Sequence, residues 1–188
     1  MNETLKIGEI NLLIIDRDTT PGLFLKTMDD SDILLPNQYV TQSMHIGDTI
    51  DVFVYTDSED RPVATTAKPK AMLDEIAFLE VVDTSSIGAF VNWGLPKDLF
   101  VPKTLQKTPF KVGEKRIIRI ILDERTNRLV GTEKVSRALI DAPKTFFPNT
   151  PVLFMIIGKT PLGYKAIVDN SYEGMLYSNE IFETLRVG

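Results

Sequence analysis

Cysteine is absent from the 188 residues, and histidine and tryptophan occur once each, at His45 and Trp93. The first absence excludes a disulfide framework, a thiolate metal site and a cysteine nucleophile, and gives no sign of an oxidising compartment. A lone histidine excludes a histidine-rich metal site. No apolar run approaches the ~18 residues of a membrane span. The opening MNETLKIGEI lacks the basic flank and apolar core of a signal peptide. A cytoplasmic protein that does not enter a membrane is expected. A Ser-His-Asp triad is compatible with the composition, but GxSxG, GxxxxGK[ST] and GxGxxG are all missing. Neither catalysis nor a cofactor or metal is expected. His45 reads as a loop residue. The acidic run at Asp29, Asp30 and Asp32 reads as a polar hairpin tip rather than a cation site.

Positive charge is scarce as well. The formal charge is −5, which argues against tight, indiscriminate nucleic-acid binding, because phosphate neutralisation supplies most non-specific affinity. The deficit is uneven. Residues 1–66 carry 4 Lys+Arg against 12 Asp+Glu, residues 67–145 carry 14 against 10, and residues 146–188 carry 3 against 4. Only the middle third is basic.

What the chain does contain is a long-period repeat. IGEINLLIIDRDTTPGLFLKTMDDSDILLP from Ile7, LDEIAFLEVVDTSSIGAFVNWGLPKDLFVP from Leu73 and NTPVLFMIIGKTPLGYKAIVDNSYEGMLY from Asn149 share one grammar. Each has a long apolar strand, a polar turn closing on glycine (Gly22, Gly88, Gly163), a short second strand, an acidic residue and a third strand. The first two copies continue into HIGDTIDVFVYTDSEDRPVATT and KVGEKRIIRIILDERTNRLVGT, each a strand, hairpin turn and strand. Five strands in ~65 residues hide their edges best as a closed OB-type barrel. The expected fold is therefore all-β, with tandem five-stranded OB-fold barrels at 1–67 and 68–145 and an incomplete third unit at 146–188. KPKAMLD near Lys68 and SRALIDAPK near Arg137 read as linkers, the second with a helical turn. The third unit has three strands, so either the chain is a fragment of a longer protein or its open sheet pairs with another surface, a homo-oligomer included.

Alternation along the second strands assigns faces. Leu23 and Leu25 take the core, leaving Phe24 and Lys26 outside. Ala89, Val91 and Trp93 take it in the second unit, leaving Phe90 and Asn92 outside, with Trp93 as a barrel cap. In the third, Tyr164, Ala166 and Val168 turn inward and leave Lys165 and Ile167 outside. An outward aromatic beside Lys or Asn suits a splayed base, worth about 1–3 kcal/mol per stack; it equally suits burial under a neighbouring unit.

These motifs resemble the S-one RNA-binding domain repeated in the largest protein of the bacterial small ribosomal subunit. More specifically, DVFVYTDSEDRPVATT followed by KPK, GAFVNWGLPKDLFVP and GYKAIVDNSYEGMLYSNEIF resemble the conserved virulence factor B family, with the likeness running from Leu5 to Gly188. That resemblance implies tandem S-one-like domains followed by a winged helix, and an RNA-binding regulator in bacteria. The winged helix and the last two strands of the third domain have no counterpart here, which implies a truncated chain. The resemblance also implies a nucleic-acid face built on an aromatic two places after the glycine, matched by Phe24 and Phe90, and a histidine ending the third strand. Pro36, Pro102 and Tyr177 stand at that histidine position, and only Tyr177 could stack.

The basic second unit offers Lys97 and Lys103 bracketing its third strand, with Arg116 and Arg119 on the fourth; Arg128 reads as a solvated turn residue. The expected partner is single-stranded RNA, bound weakly to moderately through Phe90, Asn92, Lys97, Lys103, Arg116 and Arg119, with Phe24, Lys26, Lys165 and Tyr177 as lesser candidates. The alternative is an adaptor for a ribosomal or RNA-machinery protein, favoured by the acidic first unit.

Overall fold

A computed structural model describes residues 5–27, 30–137, 139–140, 147 and 149–188, with the backbone alone at Arg137. Asp29 and most of the second linker lie outside the described residues. In the first unit β1 (Ile10–Thr19), β2 (Gly22–Lys26), β3 (Asp32–Pro36), β4 (Thr49–Thr56) and β5 (Pro62–Thr65) close a barrel in the order β1-β2-β3-β5-β4. One parallel pairing, Leu34 with Val63, seals it. The second unit repeats the plan with β6 (Ile76–Thr84), β7 (Gly88–Asn92), β8 (Leu99–Pro102), β9 (Lys115–Asp123) and β10 (Arg128–Thr132), ordered β10-β9-β6-β7-β8. Its end strands β8 and β10 approach each other without a hydrogen-bonded ladder. Gly131 of β10 brings them together there, since a Cβ at that position would strike Ile118 and Val101. β11 (Phe154–Thr160), β12 (Gly163–Val168) and β13 (Tyr172–Tyr177) form a three-stranded sheet.

The repeat is exact in register. Gly22, Gly88 and Gly163 face Pro36, Pro102 and Tyr177. A Cβ on any of these glycines would run into the carbonyl oxygen of Leu35, Val101 or Leu176, so crowding between the second and third strands demands the recurring glycine. Each first strand also carries one extra residue opposite the second, between Ile15 and Arg17, between Val81 and Asp83, and between Ile156 and Gly158. Such a bulge turns the residue after it to the other face. Arg17, Asp83 and Gly158 thereby stand beside Phe24, Phe90 and Lys165.

Inward residues agree with alternation, apart from Val168, which is half-buried. Leu23, Leu25, Ala89, Val91, Tyr164 and Ala166 are all buried. Three departures arise from packing between units, which strand periodicity does not encode. The barrels share one continuous core, because β4 is apolar on both faces: Val52 and Val54 fill its own barrel while Phe53 and Tyr55 meet the second. Trp93 is buried as the alternation predicts, but it reaches the neighbouring barrel as well, its ring edge-on against Phe53 and Tyr55 with centroids at 5.9 and 6.3 Å. The stretch read as a linker belongs to this joint: Ala71 is buried, Leu73 N–H donates to Gly8 O, and Lys70 N–H donates to Trp93 O. Ile167, expected outside, is 2% exposed against Ile76 and Val135. That apolar contact, with Ile76 N–H donating to Asn170 Oδ1 at 2.7 Å, seats the third sheet on the second barrel. A turn of 3₁₀ helix spans Val135–Arg137 and overlaps the start of the second linker, where a helical turn was expected; most of that linker lies outside the described residues.

Candidate nucleic-acid interface

The outward side chains of β7 and β8 form an aromatic pair. Phe90 and Phe100 are direct cross-strand partners, and their ring centroids lie 5.2 Å apart at 44°. Gly88 makes this arrangement feasible, since any side chain there would occupy the space of the Phe100 ring. Both rings are half-buried and line a cleft of about 500 Å³ at the joint of the two barrels. Ile87, 69% exposed, forms part of its rim. Phe100 alternates with buried Leu99 and Val101, so the period of the strand LFVP itself marks it as an outward residue.

Four charged side chains line the cleft: Asp83, Asp98, Lys97 and Arg128. Both cations are spent on the first barrel. Lys97 Nζ donates to Thr56 O at 3.1 Å and Asp57 O at 2.6 Å, and burial lowers its pKa despite the nearby Asp60. Arg128, expected in open solvent, pairs with Asp60, and its hydrogen bond holds the Asp60 carboxyl below the usual range. Among the described residues the carboxylates have no such partner. Asp83 accepts from the N–H of Thr84 at 2.7 Å, and Asp98 is pushed upward by burial and then by the charge of Asp83.

The other candidate residues scatter. Asn92 shares the outer face of β7 but accepts from Lys70 Nζ through both its carbonyl and its side-chain oxygen, at 3.1 and 3.2 Å. Lys103 is exposed, without a side-chain partner among the described residues, and its N–H donates to Ile87 O at the rim. Arg116 and Arg119 lie on β9, two strands from Phe90, engaged with Glu114 and Glu133 and with Asp74. Phe24 is roofed by the Arg17 guanidinium, 4.4 Å from its centroid, which is itself held by Asp16 and Asp32. Lys26 pairs with Asp30, and Lys165 with Glu173 at 2.9 Å. Tyr177 is 49% exposed at the end of β13. His45 lies exposed beside Asp48. Among the described residues no three His, Asp or Glu side chains gather for a metal, and no helix is long and apolar enough to cross a membrane.

Comparison with known proteins agrees with this architecture. The S1 domain family matches residues 7–67, which is the first barrel. The uncharacterized Bacillus subtilis protein YitL is 37% identical over 101 residues, covering 53% of this chain and 34% of YitL. A crystal structure of a multidomain protein with nucleic acid binding domains from Streptococcus pneumoniae superposes with a TM-score of 0.60 at 21% identity, over 97% of this chain and 66% of that one. The chain thus spans about a third of YitL and under two thirds of the pneumococcal protein.

Proposed function

We propose that the protein binds single-stranded RNA, weakly to moderately, through the outer face of the second barrel. The observation that carries this is the Phe90–Phe100 pair flooring an open cleft. Two π-faces on adjacent strands are what splayed bases stack on, at about 1–3 kcal/mol each. The S1 match to the first barrel, whose strand plan the second repeats, and the nucleic acid binding domains of the pneumococcal neighbour support the reading at the level of the fold. Lys103 at one end of the platform supplies a free cation for the backbone, while Lys97, Arg116 and Arg119 serve the fold. A regulatory role in bacterial gene expression is the physiological setting we infer, with no chemistry performed by the chain itself.

Titrating a labelled oligoribonucleotide at low salt into wild type and into Phe90→Ala/Lys103→Ala tests the proposal. Binding lost or cut at least tenfold in the variant is expected, and equal binding by both proteins would overturn it. With Lys97 and Arg128 of the cleft engaged by the first barrel and Lys103 at its rim, the salt slope should amount to only one or two phosphates.

The first barrel favours a second, distinct role. Its aromatic is roofed by Arg17, its charge is strongly negative, and Ile10, Leu12 and Ile14 stand exposed along the outside of β1. Contact with a protein of the RNA machinery suits that surface better than contact with RNA.

A further inference from the structure

Each unit carries one acid at the same place, just before or within its third strand. Asp32 and Asp98 are related by the 66-residue offset between the first two glycines, and Asp98 and Glu173 by the 75-residue offset to the third. In the first unit the acid meets Arg17, which the β1 bulge turns onto Phe24. In the third it meets Lys165, which stands where the other units have phenylalanine. In the second unit the bulge position holds Asp83 and the aromatic position keeps Phe90, so neither position offers Asp98 a cation. The result is a second carboxylate where a guanidinium would lie, an uncovered ring and an open cleft.

We propose that a nucleobase N–H donor completes the second unit: a base stacked on Phe90 and Phe100 presents its donor edge to Asp83 and Asp98, so that guanine is preferred and uracil disfavoured. This rests on the RNA reading above. A carboxylate is an acceptor only. The Watson–Crick edge of guanine offers two adjacent N–H donors, matching one carboxylate in bidentate fashion. Uracil offers a single N–H flanked by two carbonyl oxygens, which two carboxylates repel. The same charges fix the orientation of the strand. Phosphate is repelled from the acidic cleft, so the base enters and the backbone stays outside, towards Lys103. Asp98, raised by burial and by Asp83, gains most from a donor that relieves the mutual repulsion.

The test uses decauridylate and the same strand with one central guanine, titrated into wild type, Asp83→Asn and Asp98→Asn, with Trp93 emission confirming that each variant keeps the joint. Wild type should bind the guanine strand about tenfold more tightly, within the range known for one good polar base contact. The preference should fall to within about twofold in at least one variant, with decauridylate binding equal or better. Wild type binding both strands equally, or a preference unchanged in both variants, would overturn the inference while leaving RNA binding intact. No binding of either strand by wild type would overturn the RNA reading itself.

Discussion

Asp32 and Asp98 hold the same place in the two barrels, yet among the described residues only Asp32 meets a cation. Arg17 donates to Asp32 from above the Phe24 ring, and its bonds hold that carboxyl below the usual range. Asp98, facing Asp83, is raised. One exchange, arginine for aspartate after the bulge, separates a closed outer face from an open one.

Asp83→Arg should therefore close the second face as well. The new guanidinium would bridge to Asp98 and roof Phe90, as Arg17 does in the first barrel. RNA affinity is expected to fall at least tenfold although the formal charge rises by two, the reverse of a purely electrostatic effect. Anisotropy titration distinguishes the two; tighter binding by Asp83→Arg would mean that phosphate attraction governs the site.

Trp93 should be the keystone of the joint. Its indole N–H donates to Lys97 O at 2.6 Å and its ring fills the space between Phe53 and Tyr55. Burial raises the Tyr55 phenol to about 12, with neighbouring Tyr39 adding to the shift. Trp93→Ala should cost about 3–5 kcal/mol in urea denaturation, with both barrels affected because they share one core. A loss confined to the second barrel would contradict a common core.

The Arg128–Asp60 contact should make the joint sensitive to acid. Asp60 is depressed in the folded state, first by its hydrogen bond to Arg128, so its contribution is complete above the unfolded value of about 3.9 and is lost as pH falls through the folded one. Trp93, the only tryptophan, reports this directly. In Asp60→Asn the red shift of its emission on acidification should begin at higher pH than in wild type; coincident titrations would remove Asp60 from the joint.

Gly88→Val should displace the Phe100 ring and clash with Val101 O. Overpacking of this kind costs about 1–3 kcal/mol. RNA binding should weaken with it, even at temperatures where circular dichroism shows the variant folded.

Much of this arrangement was legible in the sequence. The glycine spacing gave three units in register, and alternation placed Phe24, Phe90 and the buried residues on the correct faces, because both depend on the strand's own period. The bulges after Ile15, Val81 and Ile156 were not, since the strand residues that follow each one are polar or glycine and leave no apolar alternation to show the change of face. Alternation alone therefore could not set Arg17 on Phe24 or Asp83 beside Phe90. Contacts between units were hidden for a similar reason: Lys97 and Arg128 look like ordinary surface cations until the first barrel supplies their acceptors, and Ile167 looks exposed until the second barrel covers it.

Ultraviolet cross-linking of a bound oligoribonucleotide, followed by peptide mapping of the adduct, reads the central claim at the residue concerned. The expected adducts lie on the peptide carrying Phe90 and the peptide carrying Phe100, and disappear in Asp83→Arg. Adducts found only on the first barrel, or on the Tyr177 strand, would contradict a landing place on the second.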